Sequence, residues 1–149
     1  RAEGVHTALD TSAQPFAPDD ADWMARFDGL LAHTSLVILD LKEIDDERHR
    51  ALTGHSNANI LAMARYVAEK GVPLWVRHVL VPERNDDDGY LKRLRAFLDT
   101  LKNVEKIEVL PYHTLGVYKW KELGLEYPLE GIDPPSKERV ENARNILGC

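Results

Sequence analysis

The stretch Leu36-Val-Ile-Leu-Asp-Leu-Lys42 decides the fold class. It is apolar without interruption until its last three residues, as expected of a parallel strand covered on both faces. Side chains alternate along a strand, so Asp40 and Lys42 share a side with Ile38, while Leu39 and Leu41 point to the other. The strand therefore ends with two opposite charges aimed the same way. Before it, after a polar loop over 12–21 containing Pro15 and Pro18, Asp19 or Asp20 can cap a helix that carries Trp23, Phe27, Leu30 and Leu31 at helical spacing. After it, residues 45–52 suit a short helix. Residues 57–70 suit a longer one, with Ile60, Leu61, Ala64 and Val67 on one side and Gly71 as its stop.

The same alternation continues in both directions. Toward the start, Val5-His-Thr-Ala-Leu-Asp-Thr11 reads as a strand, and Arg1-Ala-Glu-Gly4 before it suits the end of a helix. Toward the end, Leu74-Trp-Val-Arg-His-Val-Leu-Val81 is a strand closed by Pro82. Asp86 to Asp88 open a helix bearing Leu91, Leu94, Phe97, Leu98 and Leu101, and residues 106–110 form a further strand. A connection from Pro111 to Pro135, much longer than the usual loop, leads to a last helix over 136–147. Strand and helix thus alternate four times, which calls for an α/β fold with parallel strands and right-handed crossovers. A barrel and an open doubly wound sheet both satisfy that pattern. Four strands are about half of a closed barrel and would leave bare edges, so further strands are expected upstream.

Composition narrows the function classes. The 149 residues are 44% hydrophobic and 30% charged, the balance of an ordinary single globular domain. Every apolar run is broken by charge well before the roughly 18 to 20 residues that a membrane span needs, and no secretory signal is visible. A soluble, cytoplasmic chain without a membrane partner is expected. The net charge of -6, with basic residues scattered along the sequence, argues against nucleic acid as a partner. The only cysteine, Cys149, excludes an internal disulfide and cannot by itself build an iron-sulfur or zinc site.

In parallel α/β folds, ligands gather at the carboxyl ends of the strands. Those ends are polar here: Asp10-Thr11, Asp40-Leu-Lys42, Arg77-His78 and Tyr112-His113. Asp40 and Lys42 form either an internal salt bridge or part of a ligand site. Arg77 and His78 are neighbours in an apolar strand, so one of them faces the interior or the helix layer. His113 is either a hydrogen-bonded core histidine or a ligand contact. The acidic run Asp86-Asp-Asp88 fits capping better than cation binding. The other histidines lack zinc-site spacing, and there is no glycine-rich phosphate loop and no GxSxG elbow.

Read in order, Val5-His-Thr-Ala-Leu-Asp-Thr-Ser12, Leu39-Asp-Leu-Lys42, Val76-Arg-His-Val-Leu-Val-Pro82 and Asn103-Val-Glu-Lys-Ile-Glu-Val-Leu-Pro-Tyr-His113 resemble the glycyl-radical enzyme activating family, and within it the branch that acts on pyruvate formate-lyase. The likeness continues through Leu115-Gly116, Lys119-Trp120, Leu123-Gly124 and Tyr127 to Pro134-Pro135, and so covers essentially the whole chain. It implies a radical S-adenosylmethionine enzyme whose partial (β/α)6 TIM-like barrel holds a 4Fe-4S cluster and S-adenosylmethionine in its mouth. The family's CxxxCxxC motif and the glycine-rich stretch after it are absent. The resemblance therefore implies a C-terminal portion, residues 1–149, inactive alone and without iron-sulfur ligands.

What the resemblance implies for individual residues follows from matching positions. Asp40, Leu41, Lys42 and His113 match positions that contact S-adenosylmethionine. Asp10, Thr11, Asp40 and the carbonyl of Ile38 match those around a monovalent cation. Arg77 matches an arginine that meets the protein substrate, the glycyl-radical loop of pyruvate formate-lyase. A flavodoxin- or ferredoxin-type electron donor is implied as well. One departure is visible: the family usually has glycine after DTS or DTN, and this chain has Ala13, so a positive φ there would force the turn to be rebuilt. Activation of another glycyl-radical enzyme, such as a dehydratase or a choline lyase, and a protein-binding module without chemistry are the alternatives.

Overall fold

A computed structural model describes residues 3–149. The element order is β1 (Ala8–Thr11), α1 (Ala21–Leu31), β2 (Leu36–Asp40), α2 (Asp46–Thr53), α3 (Ala58–Glu69), β3 (Leu74–Leu80), α4 (Asp88–Leu98), β4 (Val104–Pro111), α5 (Val117–Glu122) and α6 (Lys137–Leu147). The four strands form one parallel sheet in the order β1-β2-β3-β4. The sequence left a barrel and a doubly wound sheet equally open. Sheet order that follows chain order, with no reversal, is the winding of a barrel wall, because a doubly wound sheet turns back on itself at a switch point.

The sheet has two unlike faces. β3 alternates strictly, with Leu74, Val76, His78 and Leu80 buried and Trp75, Arg77 and Val79 partly exposed. Register carries the pattern across: Val37 pairs with Leu74 and Leu39 with Val76 on the buried side, and Asp40 pairs with Arg77 on the other. Val37, Leu39, Leu41, Leu74, Val76 and Leu80 pack with Ile60, Met63, Ala64 and Val67 of α3 and Leu91, Leu94 and Leu98 of α4 into one core. The opposite face is lined with charge. Asp10 and Lys106 lie there with Ile38 and Trp75, and Arg77 is flanked by Asp40 and Glu108. Of the two polar neighbours in β3, His78 therefore enters the helix layer and Arg77 the charged face.

Most helices begin as their sequence signals indicate. Asp20, Asp45, Asp87 and Ser136 each cap a helix by accepting a backbone N–H. Asp87 does so in the acidic run, which accordingly serves capping. Some expectations shift. β1 begins at Ala8 rather than Val5, β4 runs from Val104 to Pro111, and Leu30 is exposed although it continues the helical spacing. The helix end expected over Arg1 to Gly4 lies partly outside the described residues, although Gly4 has the left-handed φ of 72° that suits it. The polar loop before α1 is anchored by Phe16, which is buried and meets Trp23 and Phe27 edge-on at 5.3 and 5.6 Å.

Ala13 keeps the turn. Its φ is 57°, its side chain is 1% exposed, and its N–H donates to Oγ1 of Thr11 at 2.9 Å. The backbone thus holds the conformation a glycine would adopt, at a steric cost of about 1–2 kcal/mol. Burial of the Ala13 methyl and the Thr11 hydrogen bond offset part of that cost, so the turn is not rebuilt.

Candidate functional site

The ends of β1 and β2 and the middle of β3 meet in a charged cluster. The Arg77 guanidinium donates from Nε to Oδ1 of Asp40 at 2.9 Å and from Nη2 to Oδ1 of Asp10 at 2.5 Å, and Lys42 Nζ lies 3.8 Å from Oδ2 of Asp40. Burial opposes the charge on Arg77, but attraction to Asp40 and the hydrogen bonds to Asp40 and Asp10 outweigh it and raise its pKa above the ordinary value. Four residues singled out from sequence are thereby brought together: Asp10, Asp40, Lys42 and Arg77. Asp40 and Lys42 form the ion pair, and both also line a cavity.

That cavity, about 310 Å³, lies at the carboxyl ends of β1 and β2 and is lined by Ser12, Gln14, Asp40, Lys42, His49, Thr53, His55 and Ile60. A larger one of about 670 Å³, between Arg65 of α3 and Phe97 of α4, contains none of the strand-end residues. The larger void lies at the C-terminal ends of α3 and α4, away from the carboxyl ends of the strands where ligands gather in parallel α/β folds, so the smaller one is the candidate site.

The remaining expected residues occupy different settings. Leu41 is fully buried; its N–H donates to the Arg77 carbonyl at 3.0 Å and its carbonyl pairs with Nδ1 of His78 at 2.9 Å. Its contribution is to fix the backbone between Asp40 and Lys42. Ile38 is paired in register with Asp10 on one side and Trp75 on the other. Thr11 shares the helix side with Leu39, its register partner, and Asp10 the charged side. His113 is exposed just beyond β4, and no hydrogen bond or ion pair among the described residues ties it to the cluster.

Several residues that hold this site were not singled out from sequence. Asn85 is 1% exposed: its Nδ2 donates to the carbonyls of Lys42 and Val79 at 2.7 and 2.8 Å, and its Oδ1 accepts from Val81 N–H at 2.7 Å. Glu43, also buried, accepts from the N–H groups of Ile44 and Asp45 and from Arg48 Nε at 3.2 Å. Asn57 donates to the carbonyls of Glu43 and Ile44. Asp46 accepts from Ser56 Oγ, Arg50 Nε and Asn57 N–H, which lowers its pKa to about 2. These contacts make the loop after Lys42 rigid by satisfying its backbone groups. Glu43, directly after the charged pair, was the one legible signal; Asn85 lies 43 residues from Lys42 and gave none.

Among the described residues, no group of three or more His, Cys, Asp or Glu side chains is arranged to hold a metal ion, and no helix is long and apolar enough to cross a membrane.

Known proteins resemble this chain in sequence and in fold. Pyruvate formate-lyase-activating enzyme of Streptococcus mutans is 48% identical over 147 residues, covering 99% of this chain and 56% of that protein. Homologous identity at this level is not chance. The enzyme of the same name from Listeria monocytogenes is 47% identical over 147 residues, covering 99% of this chain and 59% of its own. The chain thus spans a little over half the length of the curated relatives it matches. A crystal structure of a domain of pyruvate-formate lyase-activating enzyme from Bacteroides vulgatus superposes with a TM-score of 0.74 at 26% identity, covering 99% of this chain and 78% of that one. A radical SAM methyltransferase from Sphaerobacter thermophilus shares the fold, with a TM-score of 0.60 at 20% identity over 95% of this chain and 37% of its own. No family model matches the chain.

Proposed function

We propose that the protein carrying this chain activates pyruvate formate-lyase by forming a glycyl radical on it, and that this chain supplies the C-terminal wall of the S-adenosylmethionine site. The observation that carries the reading is the cavity lined by Asp40 and Lys42, braced through Arg77 to Asp10, in a chain 48% identical to an activating enzyme of that name. S-adenosylmethionine supplies, when reduced by one electron, the radical that takes a hydrogen atom from the target glycine. The residues present fit such a ligand: Lys42 offers a cation to its carboxylate, and the paired Asp40 offers an acceptor to its donors. They do not fit the 4Fe-4S cluster, because the chain has one cysteine, Cys149. Its thiolates belong to sequence outside this chain in our reading, and the electron comes from a flavodoxin- or ferredoxin-type donor in the cytoplasm.

The chain's own residues bind and orient. In this reading Asp40 and Lys42 face the cofactor, buried Leu41 fixes the backbone between them, and His113, in the loop after β4, adds a further contact. Arg77 uses Nε and Nη2 on the two carboxylates and leaves Nη1 for a carbonyl of the glycyl-radical loop. A monovalent cation bounded by Asp10, Thr11, Asp40 and the Ile38 carbonyl belongs to the same reading. The charges of Asp10, Asp40, Lys42 and Arg77 cancel, so a ligand carboxylate adds a negative charge that such a cation neutralises.

Calorimetric titration of the full-length protein with S-adenosylmethionine tests the site. Lys42→Ala and His113→Ala should each weaken binding by about 1 to 3 kcal/mol, the range for a lost charged hydrogen bond. Normal affinity in a folded Lys42→Ala protein would overturn the site assignment. Electron paramagnetic resonance of pyruvate formate-lyase after anaerobic incubation tests the activity. A glycyl radical appearing only on a different glycyl-radical enzyme would replace the named partner.

A further inference from the structure

Lys42 stands two residues beyond the end of β2, so the sheet ladder does not hold it. Its ammonium has one ionic partner among the described residues, Asp40 at 3.8 Å, and its side chain is 37% exposed. An ion pair that long leaves the placing of the ammonium to the backbone. Peptide groups are planar, so the two that flank the Lys42 Cα set its φ and ψ and thereby the direction of its Cβ. A side chain holds each of them. The Leu41 carbonyl lies 2.9 Å from Nδ1 of His78, and because a carbonyl only accepts, Nδ1 carries the proton and donates. The Lys42 carbonyl accepts from Nδ2 of Asn85 at 2.7 Å. Both donors are buried, and both come from β3 and the turn that follows it. Asn85 is itself fixed by the Val79 carbonyl and the Val81 N–H.

We infer that His78 and Asn85 are positioning residues for ligand binding: by holding the peptide groups on either side of Lys42, they aim its ammonium at the carboxylate of a bound ligand. The inference rests on the reading above, in which that ligand is S-adenosylmethionine. Neither side chain needs to touch it. The clamp therefore changes affinity only through Lys42, which separates it from a general bracing of the fold.

Calorimetric titration of the full-length protein with S-adenosylmethionine and with its decarboxylated analogue reads this difference. The analogue has no carboxylate for Lys42, so the wild type should bind it about tenfold more weakly. His78→Gln moves the donor to the position of Nε2 and bares the Leu41 carbonyl, and Asn85→Ala bares that of Lys42. Each should bind S-adenosylmethionine about five- to tenfold more weakly, and the analogue within about twofold of wild type. His78→Asn, whose amide reaches the position of Nδ1, should bind both ligands within about twofold of wild type. Adding His78→Gln or Asn85→Ala to Lys42→Ala should change the affinity for S-adenosylmethionine by less than about twofold. His78→Gln fills most of the space of the imidazole and carries the test alone if melting curves show Asn85→Ala unfolded. Equal losses toward the two ligands, a further loss in the Lys42→Ala background, or wild-type affinity in a folded His78→Gln or Asn85→Ala protein would each overturn the inference. A wild type that binds the two ligands alike would instead remove Lys42 from the ligand site, and with it the reading on which this inference rests.

Discussion

Replacing Arg77 by Met removes the guanidinium and keeps most of the apolar stem, so it measures what the charged bridge contributes. Arg77 and Asp40 are each a quarter exposed and 2.9 Å apart. At an effective dielectric of about 20, unit charges roughly 3 Å apart attract by about 5 kcal/mol. Desolvation and side-chain ordering consume much of that, leaving about 2 kcal/mol, the level of a charged hydrogen bond in partial burial. Asp10 is closer, at 2.5 Å, but its side chain is 57% exposed. Solvent screening discounts its share to about 0.5 kcal/mol. Arg77→Met should therefore destabilise the fold by about 2 to 3 kcal/mol in urea unfolding. A double-mutant cycle with Asp40→Asn should return a coupling of about 2 kcal/mol, and one with Asp10→Asn well under 1. Coupling to Asp10 as large as that to Asp40 would refute the reasoning, since distance and not burial would then govern the bridge. The same bridge joins the residue expected to meet the protein partner to the one expected to meet the cofactor. Arg77→Met should consequently weaken both interactions, where sequence alone suggested a clean separation.

Asn85→Ala leaves three backbone groups of the strand ends without partners and should cost about 3 kcal/mol in urea unfolding; a loss under 1 kcal/mol would mean that water replaces the amide. His78 has its pKa lowered by burial, so its folded value lies below the unfolded 6.5 and the unfolded chain binds the extra proton. Stability from this group is complete above pH 6.5 and falls as pH drops toward the folded value; melting curves of wild type and His78→Asn should converge on acidification. Asp46 is held at about 2 against 3.8, so its contribution is complete above 3.8 and disappears as pH falls through 2, and Asp46→Asn should remove that acid transition. An acid profile unchanged by the substitution would exclude Asp46 as its source.

The sequence by itself determined the alternation of strands and helices, because uninterrupted apolar strands, capping aspartates and Gly71 are local signals that burial and backbone geometry enforce within a few residues. It also determined which residues sit at strand ends, and so drew attention to Asp10, Asp40, Lys42 and Arg77. The direct sheet order was a matter for the tertiary structure, since the crossover pattern alone fits two windings. So was the choice between Arg77 and His78, which turns on register: Asp40 pairs with Arg77, and that places the guanidinium on the charged face and the imidazole among the helices. Asn85 was beyond local reading for the same reason. Its importance comes from partners brought close by the fold, the carbonyls of Lys42 and Val79, and such a contact leaves no periodic trace in the chain.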